Sequence, residues 1–323
     1  MLTPSFFAGY EVVPDVRWER AIGATLSANM RLTSTRISVS GLENLPDRPA
    51  LLATNSTQKY DFLAFRHPLF AKGVRVVTVT KGKNYHSAPM AVVLGRTGVI
   101  PLSSRGYILL CDFVAVHGRR PTDAEYRALR DHVNDPTSEL PRADVEPLRS
   151  LLTRRRDVVG HPFDPRAERY GEALRRTYRQ MMAETLRLSR EAVAAGYHIQ
   201  MYPEGTVAPR LGVGRVGAVQ LAWALGLTIV PVGMSGCPQA FAGASPLFRG
   251  GHVHIEIGAP MRLPEGALPA DFEPFSPSCE ARHKRELQAM TDEIMAKIDG
   301  LVDARHKRPA IVDARPTDPR KHL

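Results

Sequence analysis

The sequence is short of cysteine: Cys111, Cys237 and Cys279 are the three in 323 residues, and no Cys-x-x-Cys spacing joins them. That argues against a disulfide framework and a thiolate zinc site, and a reducing, cytosolic setting is expected. Aromatic residues are sparse at 7%, and uninterrupted apolar runs are short. A membrane-crossing helix, which needs about 18 such residues in a row, is therefore not expected. Pro4, Glu11 and Asp15 break the apolar stretch after Met1, so a signal peptide is not expected either. Helix-turn-helix, zinc and aromatic-platform patterns are missing, which sets nucleic acid aside as a partner.

What is present is core material and positive charge. Hydrophobic residues make up 43% of the chain, enough for a real core. Forty-three Lys and Arg against 33 Asp and Glu give a net charge of +10, which favours phosphates, acidic proteins or an anionic membrane surface.

Residues 1–34 are expected to form an N-terminal helical segment. Trp18, Ala21, Ile22 and Leu26 recur at helical spacing beside Arg17, Glu19 and Arg20. Packing on the domain fits this pattern, and so does an interfacial helix anchored by Trp18, Phe6 and Phe7. Strands are expected at Leu51 to Thr54, Val74 to Thr80, Ile199 to Tyr202, Thr228 to Met234 and His252 to Ile257. Helices are expected at Ala167 to Ala195, Val216 to Leu225 and His283 to Val302, the first two closed by Gly196 and Gly226.

The alternation predicts an α/β fold over 35–303, a central mixed β-sheet flanked by helices, with its ligand near the C-terminal ends of the strands. Residues 117–166, rich in Arg, Asp and Pro, read as a charged helical insertion, a surface lid or docking element. Within it, Arg154-Arg155-Arg156 reads as a solvated face or a contact for anionic lipid or an acidic carrier protein. Residues 304–323 read as a basic flexible tail. His252 and His254 share one strand face, but no third ligand is in register, and a structural role is preferred to a metal site.

The polar stretch Asn55-Ser56-Thr57-Gln58-Lys59-Tyr60-Asp61 begins where the apolar run Ala50 to Ala53 stops. On its own it reads as a glycosylation sequon, a capping turn or an active-site loop. Further on, Tyr202-Pro203-Glu204-Gly205-Thr206 ends a predicted strand, and Gly214, Arg215 and Gly217 stand at the mouth of a helix. Together with Gly98-Val99-Ile100-Pro101 leading to Arg105, and with Val230-Pro231-Val232, these blocks resemble the PlsC-like glycerolipid acyltransferase family. That family carries Asn-His-x4-Asp, Gly-x-Ile-Pro leading to Arg, Pro-Glu-Gly-Thr-Arg and Val-Pro-Val in this order. The likeness covers about residues 35–110 and 170–300.

The resemblance implies transfer of a fatty acyl group from acyl-CoA or acyl carrier protein to the hydroxyl of a lysophospholipid, with no cofactor. It implies a peripheral place on the inner face of the cytoplasmic membrane. Asp61 would orient a catalytic base. Glu204, Gly205 and Thr206 would line the acceptor side, and Arg105, with Lys81, Lys83 or Arg215 nearby, would receive its phosphate. Met90, Val92, Val93 and Leu94 are candidates for an acyl tunnel.

Three positions depart from the family pattern: Ser56 stands where the family has its catalytic His, Val207 where it has an Arg, and Arg105 one residue late. Four readings of Ser56 stay open. It replaces the base of a working enzyme; the base lies elsewhere, at His86 or in the acceptor's phosphate; the protein binds lipid or acyl carrier without turnover; or Ser56 is itself an acyl-accepting nucleophile, giving a thioesterase.

Overall fold

The computed structural model describes residues 2–85, 88–134, 145–243 and 245–309. Two N-terminal helices, α1 (Pro4–Ala8) and α2 (Val16–Thr33), precede a sheet built from β1 (Arg36–Ser40), β2 (Leu51–Thr54), β3 (Val76–Lys81), β4 (Val99–Leu102), β7 (His198–Met201), β8 (Ile229–Ser235) and β9 (His252–Ile257). Helices α3 (Asp61–Ala71), α4 (Ala88–Arg96), α5 (Arg105–His117), α8 (Tyr170–Ala194), α9 (Gly217–Leu225), α10 (Cys237–Ala240), α11 (Pro277–Arg282) and α12 (Lys284–Leu301) connect or flank these strands. The strand order is β1-β9-β8-β2-β7-β3-β4. β8, β2, β7, β3 and β4 run parallel to one another, whereas β9 is antiparallel to β8 and carries β1 parallel beside it. The mixed sheet flanked by helices is the fold class that the alternating pattern predicts.

Both faces of the sheet are covered, which is why β2 and β8 read as continuous apolar runs. Successive residues of β2 point to opposite faces: Leu51 and Ala53 join the larger core cluster with α5, α8, α9 and α12. Leu52 joins the smaller one with Leu26 of α2 and Phe65 of α3. The five parallel strands release their chains at one edge of this sandwich, and the loops after β2, β3, β4, β7 and β8 gather there.

Three expectations are corrected. The 117–166 insertion is not a lid. Its described parts, α6 (Asp123–Asn134), α7 (Val145–Thr153) and the hairpin of β5 (Arg156–Val158) with β6 (His161–Phe163), place Leu129, Val133, Leu148, Leu151, Val158 and Phe163 in the larger core. Arg156 does not lie on a solvated face: its Nε and Nη2 grip Asp112 at 2.9 and 2.5 Å, and the Tyr170 hydroxyl donates to the same carboxylate at 2.6 Å. The apolar residues of α6 and α7 do recur at helical spacing, Leu129 with Val133 and Leu148 with Leu151, on helices that also carry charged residues.

Phe6 and Phe7 are not membrane anchors. Phe7 is buried and Phe6 packs on Tyr10 and Tyr85. Trp18 does stay accessible, 39% exposed, with Arg96 over its ring at 5.6 Å. Among the described residues no helix is long and apolar enough to cross a membrane.

The third correction concerns the tail, whose first residues are docked. His306 is buried, its Nδ1 lies 2.8 Å from the Pro209 carbonyl, its own carbonyl accepts from Leu211 N at 2.8 Å, and Gly236 N donates to its Nε2 at 3.3 Å. The tail residues 310–323 lie outside the described residues.

Candidate active site

The chain leaves β2 into residues 55–60 and leaves β7 into residues 202–216, and the two loops clasp each other. β2 lies directly beside β7 in the sheet. Ser56 N donates to Glu204 Oε2 at 3.1 Å, and Ala208 N donates to the Ser56 carbonyl at 2.9 Å. The second oxygen of Glu204, Oε1, accepts from Gly212 N at 2.8 Å. Glu204 is thus a buried brace that fastens its own loop and the Ser56 loop. Burial pushes its carboxyl up to about 7 against the opposing pull of those two N–H groups and of Arg308.

Asp61 opens α3 and is buried. Its Oδ2 reaches back to accept from Thr57 N at 2.7 Å and Gln58 N at 3.0 Å, which fixes the turn that presents Ser56. Oδ1 takes no part in either bond. Burial raises this carboxyl to about 7 as well, with a further upward push from Glu204. Two carboxyls therefore titrate near neutrality beside Ser56. Cys237, at the start of α10, is pushed well up by burial and then by the charge of Asp61, which leaves its thiol inert.

Asn55 is not a glycosylation site. It is 2% exposed, and its side-chain amide donates to Met234 O at 2.9 Å while its Oδ1 accepts from Met234 N at 2.7 Å. The side chain extends the β2–β8 pairing past the end of β2.

Gly205 has φ of +60°, and a Cβ there would stand 3.2 Å from Arg215 Cδ. Both the backbone and the approach of Arg215 therefore call for glycine. Arg215 is fixed by its own N–H, which donates to Pro203 O at 2.8 Å. Thr206 follows, half-buried, and Val207 is 48% exposed.

A collar of positive charge borders these loops. Lys81, at the end of β3, is drawn down to about 8, first by burial and then by Lys83 and Arg215. Lys83 is lowered by burial and then by Lys59 and Arg120. Mutual repulsion of this kind marks a place that favours an anion. Lys59 and Arg120 had no signal of their own in the sequence, since their spacing to Lys83 is set by the fold.

Arg105 is not part of the clasp. It begins α5 at the end of β4, exposed, and its charge acts on Tyr178. β4 stands three strand positions from β2, about 14 Å at the usual spacing. The acyl-tunnel set is corrected too. Val92 and Val93 are 53% and 41% exposed, so they line no enclosed channel, and Leu94 is buried in the core. Val92 instead borders an open groove of about 400 Å³ shared with Tyr10, Val13, Ala91 and Arg96. The side chain of Met90 and the whole of His86 lie outside the described residues. His252 and His254 both bond the Ser38 hydroxyl, at 2.8 and 2.9 Å, and among the described residues no group of His, Cys, Asp or Glu is arranged to hold a metal.

No family model matches the sequence, and no curated protein matches it. Among solved structures, the chain is similar to the 1-acyl-sn-glycerophosphate (LPA) acyltransferase PlsC from Thermotoga maritima. The two share 14% identity over 84% of this chain and 78% of that one, with a TM-score of 0.42. That likeness assigns no activity to this chain.

Proposed function

We propose that the protein is built as a glycerolipid acyltransferase whose catalytic base is missing at Ser56. The observation that carries this reading is the 3.1 Å bond from Ser56 N to Glu204 Oε2. It joins the two blocks of the acyltransferase pattern, Asn-Ser-x4-Asp and Pro-Glu-Gly-Thr, in one buried cluster with Asp61. The donor is a fatty acyl thioester on CoA or acyl carrier protein, and the acceptor is a lysophospholipid. The place of work is the anionic inner face of the cytoplasmic membrane.

In the reaction the acceptor hydroxyl attacks the thioester carbonyl, the C–S bond breaks, and the hydroxyl proton ends on the departing thiolate. A base must carry that proton, and a serine hydroxyl is a poor one near pH 7. With histidine at position 56, Oδ1 of Asp61 is the oxygen left to receive the imidazole N–H. Glu204 and Asn55 keep the loop in place, and Lys81, Lys83 and Arg215 supply positive charge for phosphate groups, with Arg105 at the far end of the same edge.

The test is thioester consumption with lysophosphatidate as acceptor, for the chain as it stands and for Ser56→His. A gain of about 100-fold or more on restoring histidine is expected, the usual worth of a positioned base. No turnover in either protein would reduce the fold to a lipid or acyl-carrier binding protein. Thioester hydrolysis without acceptor that disappears in Ser56→Ala would make Ser56 a nucleophile.

A further inference from the structure

The C-terminal strap brings one more cation to the clasp. Arg308 follows the buried His306, and its backbone N–H donates to Asp299 Oδ1 at 2.8 Å. The strap is thus fastened to the end of α12 on one side and to the 209–211 loop and Gly236 on the other. The side chain of Arg308 is half-buried, and its Nε and Nη2 have no hydrogen-bond partner among the described residues. Arg308 forms no ion pair within 4.0 Å among the described residues, although its charge acts on Glu204. Glu204 accepts from Ser56 N and Gly212 N, and neither Nε nor Nη2 of Arg308 bonds to its carboxylate.

Buried, charged N–H groups without an acceptor are costly, and a bound anion is one partner that satisfies them. Nε and one terminal nitrogen of a guanidinium form a planar fork that matches two oxygens of a phosphate. Arg215 borders Gly205, next to Glu204, and adds a second positive charge suited to a dianion. Val207, the next side chain but one along that loop, is exposed and uncharged.

We propose that Arg308, carried on the docked C-terminal strap, binds the phosphate monoester of the acceptor beside the Ser56–Glu204 clasp. The nature of the acceptor rests on the acyltransferase reading; the anion site itself rests on the geometry of the strap. His306 is the positioning residue, because its three bonds hold the strap against the loop that Arg308 serves.

The experiment is calorimetric titration of the full chain with sn-glycerol 3-phosphate, inorganic phosphate and glycerol, repeated for R308A, R308K and H306A, with thermal melts as a check on folding. Binding of glycerol 3-phosphate but not glycerol is expected, weakened tenfold or more in R308A, less in R308K, and severalfold in H306A. Equal binding of inorganic phosphate would mark a site for the bare anion and still support Arg308 as its ligand; weaker binding would show that the glycerol portion is also read. Wild-type affinity in a folded R308A, or no phosphate binding to the parent chain, overturns the proposal. The two readings separate in the S56H background. If S56H turns over but adding R308A leaves KM for lysophosphatidate unchanged, Arg308 is not the ligand and the acyltransferase reading stands. If S56H is inactive while glycerol 3-phosphate binding still depends on Arg308, the anion site stands and the acyltransferase reading falls.

Discussion

Ser56 and Glu204, 148 residues apart in the chain, are joined by a backbone-to-carboxylate hydrogen bond of 3.1 Å. Because Glu204 also holds Gly212 N, its removal strands two backbone donors in a site where Glu204 is 3% exposed. E204A is expected to lose on the order of 2–4 kcal/mol at pH 5, by the usual cost of buried donors left unpaired. The sign of the pH effect follows from the carboxyl being raised to about 7 on folding. Such a group contributes stability that is complete below its unfolded value and fades as pH rises through 7. The gap between parent and E204A should therefore narrow from pH 5 to pH 8 in urea titrations. A gap that widened would mean that Glu204 is stabilised as an anion.

Asn55 offers a second test of the same edge. Its amide makes a reciprocal pair with the backbone of Met234, at 2.9 and 2.7 Å. N55D keeps the acceptor but turns the donor into a second oxygen facing a carbonyl, so a loss of roughly 2–4 kcal/mol is expected from an unsatisfied buried pair. Urea unfolding of N55D and N55A measures it. A loss below about 0.5 kcal/mol, the level of an ordinary surface change, would show that the β2–β8 edge does not need this side chain.

How far the sequence reveals this molecule depends on the reach of each signal. β2 and β9 lie where their composition puts them, at Leu51–Thr54 and His252–Ile257, because burial on both faces or on one writes itself into consecutive residues. The clasp is legible as two motif blocks, yet nothing in the spacing says that Glu204 spends both its oxygens on backbone. Asn55 looks like half a sequon until Met234 is seen opposite it. His306 and Arg308 sit in a stretch whose composition, basic and with proline, reads as tail. Their docking depends on single side chains meeting backbone groups far away in the sequence, which leaves no periodicity.

The insertion is tested through Arg156 and Asp112, whose side chains are 11% and 0% exposed. R156A leaves a buried carboxylate without its partner, at a cost of roughly 3–5 kcal/mol. If 117–166 is part of the one core, a single cooperative thermal transition should shift downward as a whole. A separate early transition with the main one unchanged would restore the picture of an independent lid.

Membrane association is expected to run through Trp18, Val92 and Val93, which are exposed beside Arg96. Co-sedimentation with anionic vesicles at low salt should fall in the triple variant W18A/V92S/V93S and weaken with added salt in the parent, as screened charge requires. Equal sedimentation of parent and variant would place the contact elsewhere.

The role of Asp61 is separable from that of position 56. In S56H the new imidazole gains a proton as the acceptor hydroxyl attacks, and a carboxylate at Asp61 would stabilise that cation. Asp61 is neutral at low pH because burial lifts it to about 7, so acyl transfer by S56H should climb between pH 6 and pH 8 as the carboxylate forms. D61N keeps an oxygen for Thr57 N and Gln58 N but carries no charge. S56H/D61N should therefore fold, lose most of the activity gained by S56H, roughly 100-fold or more for an uncharged partner, and show a flatter rise with pH. If the double variant transfers acyl groups as well as S56H, Asp61 serves only to fix the turn through its 2.7 and 3.0 Å bonds.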